Sequence, residues 1–216
     1  MSLMYYSRMR FIVQLLPLLL KSSMPAHIVS VVNFNLEGKL NPDDLALRKP
    51  GSIGMSSSGP HMAHMNSLFM EQLAVRHPDR LALIHLYPGF VKTKIAANGK
   101  FPKWLAWIWI YVFEPLFSSI FVPNEECGER LVNLATSRYP AHSAERTDSG
   151  PSRNGGTALS PDGTIGGGFY RVNWNGDSIA LRKAQKVVHE GGIPKKAWDH
   201  TMDVFEAIES GGKSIN

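Results

Sequence analysis

The run from Pro60 to Thr93, PHMAHMNSLFMEQLAVRHPDRLALIHLYPGFVKT, constrains this chain more than any other stretch. It predicts a helix, a short turn, a buried strand and a Pro-Gly turn where that strand ends. Met62, Met65, Leu68, Phe69 and Leu73 recur at three- and four-residue spacing, which marks one face of a helix. Pro60 suits the first helical position, where its missing N–H costs nothing. Leu81 to Tyr87 is short and almost unbroken apolar, as expected of a parallel strand covered on both faces. Ligands of open α/β sheets lie outside the carboxyl ends of the strands, so chemistry is to be sought at Pro88-Gly89 and beyond. A plain turn ending a strand is the other reading of that dipeptide.

The flanking sequence supplies further elements. Tyr5, Met9, Ile12, Leu16 and Leu19 keep helical spacing, which predicts a first helix over residues 5 to 22, bent at Pro17. The same stretch imitates a signal peptide, with Arg8 and Arg10 ahead of an apolar run, but Gln14 and Pro17 interrupt it and no small-residue cleavage site follows. Residues 27 to 33 are β-branched and predict a second buried strand, forming a βαβ unit with 81 to 87. Between them, 34 to 59 is a long loop rich in Gly and Pro. Loops of that length inside a domain are functional or disordered. Trp104 to Phe113 is apolar on every side and too short to span a bilayer, so it is either buried or in contact with lipid or a partner. A helix over 124 to 137 is expected, with Asn124 as its cap. Residues 138 to 168 have almost no large apolar residues and predict a flexible loop, with Gly163 to Gly168 as flexible chain and no phosphate cradle, since they precede a strand. A short strand from Phe169 ends at Asn175-Gly176, and two helices, over roughly 178 to 189 and 194 to 209, close the chain, the second burying Trp198, Met202, Phe205 and Ile208.

Composition excludes several function classes. The chain has 216 residues, a hydrophobic content of 44% and a charged content of 19%, which suit one folded domain. Net charge is +5, but the basic residues cluster only as pairs, so no nucleic-acid stripe is present. The single Cys127 excludes an internal disulfide and points to a reducing compartment, hence a cytoplasmic location. Its acidic neighbours disfavour a reactive thiolate, against a catalytic role.

The pattern PG-x-V-x-T after such a strand, preceded by the helix NSLFMEQLA, resembles the later half of the short-chain dehydrogenase/reductase family. The region from Cys127 to Ile208, with Trp198-Asp-His-Thr201, resembles a filamentous-fungal branch whose enzymes often act in small-molecule biosynthesis. The resemblance implies an α/β, partial Rossmann-like fold, a doubly wound parallel sheet lacking its first strands, with C-terminal helices. Its expected divisions are a truncated core over 1–137, the loop 138–168, and a C-terminal strand and helices over 169–216 that pack on the core. It implies hydride transfer between NADP or NAD and a carbonyl or alcohol on an apolar small molecule. Pro88, Gly89, Val91 and Thr93 would lie against the cofactor. The segment from Trp104 to Phe113 would be a lid over the substrate. Contact with a membrane surface or protein through Trp104, Trp107, Ile108 and Phe113 is the competing expectation.

The same resemblance marks what this chain lacks. The family's first strand, Gly-rich turn and helix hold the cofactor pyrophosphate on backbone N–H groups, and no such run precedes Tyr5. An amino-terminally truncated chain, or one whose true start lies upstream, is therefore expected. The family's Tyr and Lys must share a helix face four residues apart. Counting back from Ser67 puts them at Gly54 and Ser58, with the family Ser near Asn33 and the helix Asn near Met4, and none matches. Pro60 would also place 54 and 58 ahead of the helix. His61 and Tyr87 remain as candidate proton donors, with Ser56, Ser57 and Ser58 near His61 as hydroxyls. His61 and His64, at i and i+3, lack a third metal ligand, so no metal is expected, and both are expected to be partly exposed. Asp43 and Asp44 predict a surface pair. The competing expectation is a non-catalytic remnant that binds a partner.

Overall fold

The computed structural model describes residues 1–38, 40–54, 57–91, 103–108, 111–112, 121–142 and 156–211. Thr93, Phe113 and Ser56 lie outside the described residues. A π-helical turn, Ser2–Tyr6, runs into α1 (Ser7–Leu19), followed by β1 (Ala26–Val31) and a 3-10 turn at Phe34–Leu36. Then come α2 (Ser58–Arg76), β2 (Leu81–Leu86), β3 (Phe90–Val91) and α3 (Lys103–Ile108). The chain continues through β4 (Phe121–Val122), α4 (Asn124–Asn133), β5 (Phe169–Val172), α5 (Lys183–Glu190) and α6 (Ile193–Glu209).

β1, β2 and β5 form a parallel sheet in that order, and β3 and β4 a separate parallel pair. α2 is the crossover between β1 and β2. The architecture is α/β and partial Rossmann-like, and β5 is a member of the sheet itself where the sequence predicts a strand packed on a core.

Alternation along the strands sorts the two faces. Leu81, Leu83 and Phe169 join Met65, Leu68, Phe69 and Leu73 of α2, Tyr5 and Met9 near the amino terminus, and Phe205 of α6. Ile84, Leu86, Tyr170 and Val172 point the other way, onto Leu134, Tyr139 and Ala158. β2 is buried at every residue because both faces are covered.

α2 departs from the expected one-sided helix. Its residues from His61 to Met70 are all buried, polar ones included. The sheet lies beneath it. α6 packs along it, with Phe69 stacked on Trp198 at 4.6 Å and Arg76 over the same indole. Pro60 sits third in the helix, and Ser58 is its first residue, so Gly54 alone stays in the preceding loop.

Other boundaries shift for local reasons. Asn124 is the first residue of α4, with Pro123 before it, and the helix stops at Asn133. Residues 178–181 are extended where the sequence predicts helix, since Ile179 N–H donates to Arg171 and Leu181 N–H to Pro161. On α6, Thr201 and Phe205 are buried and Ile208 is 66% exposed, so the buried stripe ends a turn earlier than expected.

The expectation of a flexible loop over 138–168 fails for its described parts. Tyr139, Ala141, Ala158 and Ser160 are buried. Ser160 N–H donates to Thr164 and Gly166 N–H to Ala158, closing a tight hairpin. Its glycines answer close approach. A Cβ at Gly168, where φ is +83°, would lie 2.8 Å from the His142 nitrogen. Two further surface expectations are overturned. Asp44 is buried and accepts from the Arg48 and Lys49 N–H groups and the Ser52 hydroxyl, while Asp43 stays outside. Trp104 and Trp107 are exposed at 65% and 59%, which removes the buried reading for those two side chains.

Candidate functional site at the carboxyl edge of the sheet

The parallel register aligns Ser30, His85 and Arg171 across the three strands, on the face that meets α2. One row earlier the aligned residues are Ile28, Leu83 and Phe169. The helix-facing layer therefore turns from apolar to polar toward the carboxyl ends of the strands. Asn66 and Ser67 of α2 meet this polar row. Ser30 donates to Asn66 at 3.0 Å, and Ser67 Oγ lies 2.6 Å from His85 Nδ1.

Glu37, just after the 3-10 turn, joins the parts. Its Oε1 accepts from the Ser67 hydroxyl at 2.5 Å, and its Oε2 accepts from Gln185 Nε2 at 2.5 Å. Arg171 Nη2 lies 3.2 Å from the same Oε2. Arg171 Nη1 donates to Gln185 Oε1 at 3.1 Å, and its guanidinium lies over the Phe34 ring. Burial pushes the Glu37 carboxyl above its ordinary range, and Arg171 and Ser67 pull it back. Burial, then the Arg171 charge, brings His85 down to about 3, so its ring is neutral at pH 7. The single Ser67 proton goes to Glu37, and His85 Nδ1 must therefore be the donor to Ser67 Oγ.

Ser67, His85 and a carboxylate in contact suggest nucleophilic chemistry, but the order is wrong for it. The hydroxyl sits between acid and imidazole, and both ends are buried from any substrate. This row is a foundation under the carboxyl edge. The sequence reading did not find it. Its signal was present, since His85 in LALIHL and Arg171 in FYRV each break an apolar strand on the helix-facing side.

Above the row stands the turn from Tyr87 to Val91. Tyr87 N–H donates to Val172, and its ring meets Phe34 edge-on at 6.4 Å. Pro88, Gly89 and Val91 are half-buried and Phe90 is exposed. Gly89 has φ +77°, and a Cβ there would lie 3.0 Å from the Trp174 Cβ and 3.3 Å from Val122. Packing against Trp174 thus accounts for this glycine without any ligand.

The other sequence-predicted residues separate from this edge. Asn33 caps the 3-10 turn by accepting from the Asn35 N–H, and Ser58 Oγ donates to the Gly54 carbonyl at 2.8 Å. His61 and His64 are buried, not partly exposed. The carbonyl of Leu45 takes the His61 Nε2 proton at 3.0 Å, and that of Gly38 takes the His64 Nδ1 proton at 3.1 Å. Burial brings His64 down to about 4. Among the described residues no group of three His, Cys, Asp or Glu side chains is placed to hold a metal, and no helix is long and apolar enough to cross a membrane.

A nicotinamide nucleotide needs a flat contact at its ring and backbone donors at its pyrophosphate. Pro88 and Val91 are half-buried, which leaves part of the turn open at the first position. The Gly163–Gly168 run does not fit the second need, because Pro140, Ser160 and His142 fill the space beside Gly166, Gly167 and Gly168.

No family model matches the chain. Its sequence is 36% identical over 206 residues to a protein named oxidoreductase AN1596 from Emericella nidulans, a match covering 95% of this chain and 60% of that protein. It is 32% identical to short-chain dehydrogenase/reductase SAT2 from Stachybotrys chartarum, covering 99% and 60%. It is 31% identical to an NmrA-like family domain-containing oxidoreductase, notO, from an Aspergillus species, covering 99% and 59%. The chain thus spans about 60% of the length of the curated relatives it matches. These similarities run along nearly the whole chain, and the matched proteins are named as oxidoreductases, one of them as a short-chain dehydrogenase/reductase.

Proposed function

We propose that this chain serves an NAD- or NADP-dependent oxidoreductase, with the carboxyl edge of the sheet as its cofactor side. The observation that carries the reading is the Pro88-Gly89 turn at the end of the central strand β2, in a chain similar to fungal oxidoreductases along nearly its whole length. Pro88, Gly89 and Val91, with Thr93 beyond them, would lie against the nicotinamide end. The bound nucleotide would supply the hydride donor or acceptor. The substrate would be a carbonyl or alcohol on an apolar small molecule, as in fungal secondary-metabolite biosynthesis.

The proton falls to Tyr87 in this reading. It stands beside the turn and is half-buried, whereas the His61 Nε2 proton is engaged by Leu45 and the family positions at Gly54 and Ser58 carry no phenol or amine. A Tyr87→Phe chain should retain the nucleotide and lose turnover.

A second reading, a non-catalytic module that binds a partner or a membrane surface, is favoured by the exposure of Trp104, Trp107 and Tyr111. Thermal unfolding of residues 1 to 216 with and without saturating NADPH or NADH separates the two. Nucleotide at about 100 times its dissociation constant should add roughly 2.7 kcal/mol and raise the melting temperature. A cooperative melt that neither nucleotide moves would discard the cofactor reading in favour of the module.

A further inference from the structure

At the β5 side of the sheet, α2, α5 and the 158–166 hairpin line a half-open cavity of about 320 Å³ that no part of the proposed reaction uses. We infer that it is a binding site for a small hydroxylated apolar molecule, of the size of a phenol, whose hydroxyl bridges Ser160 and His189.

The polar end of the cavity is built from two elements and a turn. Glu71 of α2 holds His189 of α5, with its carboxylate oxygens 2.9 and 3.1 Å from Nδ1. A carboxylate facing Nδ1 makes that nitrogen the donor and turns Nε2 toward the cavity side of the ring. His189 Nε2 is buried and has no hydrogen-bond partner among the described residues. Ser160 lines the same cavity, is 5% exposed, and its Oγ also has no partner there. Buried polar atoms are almost always satisfied, so Ser160 Oγ and His189 Nε2, with Glu71 Oε2 beside them held only by its ion pair to His189, call for an occupant with matching groups. Ser160 is held in place by its surroundings. A Cβ at Gly167 would come within 2.5 Å of its Oγ, so only glycine leaves that hydroxyl where it is.

The chemistry of the occupant follows from the walls. A hydroxyl, donor and acceptor at once, matches both orphaned atoms. Its body would lie on Ala74, Phe169 and Leu181. A carboxylate is disfavoured by Glu71 and Asp162 on the same walls, and an ammonium group by Lys186. The site is separate from the Pro88-Gly89 turn, so it stands or falls independently of nucleotide binding.

The test is a titration of the full chain, labelled at alanine methyl groups and histidine rings, with phenol and with toluene, followed by NMR. Phenol should shift Ala74 and His189 along one saturating curve and leave Ala197, which does not line the cavity, unmoved. Ser160→Ala should weaken phenol about tenfold, the share of one hydrogen bond. Leu181→Trp, which fills the cavity, should abolish the shifts while the Ala197 signal reports an intact fold. Shifts that fail to saturate, toluene binding as tightly as phenol, or a Ser160→Ala chain that binds phenol unchanged would each overturn the assignment and leave the cavity to water.

Discussion

Glu37 illustrates how much one residue carries in this fold. Its carboxylate accepts from Ser67 and Gln185 and forms an ion pair with Arg171, so it ties the segment after β1 to α2, β5 and α5 at once. A buried ion pair is weak evidence of net stabilisation, because desolvating both charges offsets their attraction. Removing one partner is different, since it strands the other charge. Glu37→Ala should therefore destabilise the chain by about 3–5 kcal/mol in urea unfolding, and adding Arg171→Met should recover much of that loss. An additive double variant would mean that the two residues act independently. None of this was legible in Glu37 itself, which sits in a stretch that reads as loop. His85 and Arg171 did carry a trace, as charged or titratable residues inside apolar strands.

Among the elements, α6 tests how far periodicity can be trusted. Its spacing predicts Phe205 and Ile208 in one buried stripe. In the fold Phe205 is buried against Tyr6 and Arg10, and Ile208 faces solvent. The helix overhangs the end of the surface it packs on, and sequence period does not record where a neighbour stops. Phe205→Ala should cost about 3–5 kcal/mol, whereas Ile208→Ala should stay within about 0.5 kcal/mol. Equal losses in thermal or urea unfolding would place the two side chains in the same environment. α2 errs the other way. Its pattern suggests one apolar face, yet its polar residues are buried as well, each matched to a loop carbonyl or to the polar row of the sheet. Periodicity identifies the helix and misjudges how completely it is enclosed.

For the whole molecule, the buried histidines set the response to acid. His64 and His85 titrate near 4 and 3 in the folded chain, against an ordinary value of 6.5. Both are lowered by burial, so the unfolded chain binds their protons first as pH falls. The stability they contribute is complete above about pH 6.5 and is lost as pH drops toward 4 and then 3. Urea midpoints should decline over that window, and His64→Gln should flatten the upper part of the slope. A midpoint independent of pH between 6.5 and 4 would contradict the burial of these rings. By itself the sequence determined the α/β class, the helix and strand around Pro60 to Tyr87, the apolar face of the first helix and the Pro-Gly turn, because these are set by local periodicity and by what proline and glycine permit. The tertiary structure alone decided that Ser30, His85 and Arg171 share one row, that Glu37 closes it, that Gly89 answers to Trp174, and that Glu71, Ser160 and His189 line one cavity. Those meetings join residues distant along the chain. Strand register and helix packing bring them together, and neither is written in local spacing.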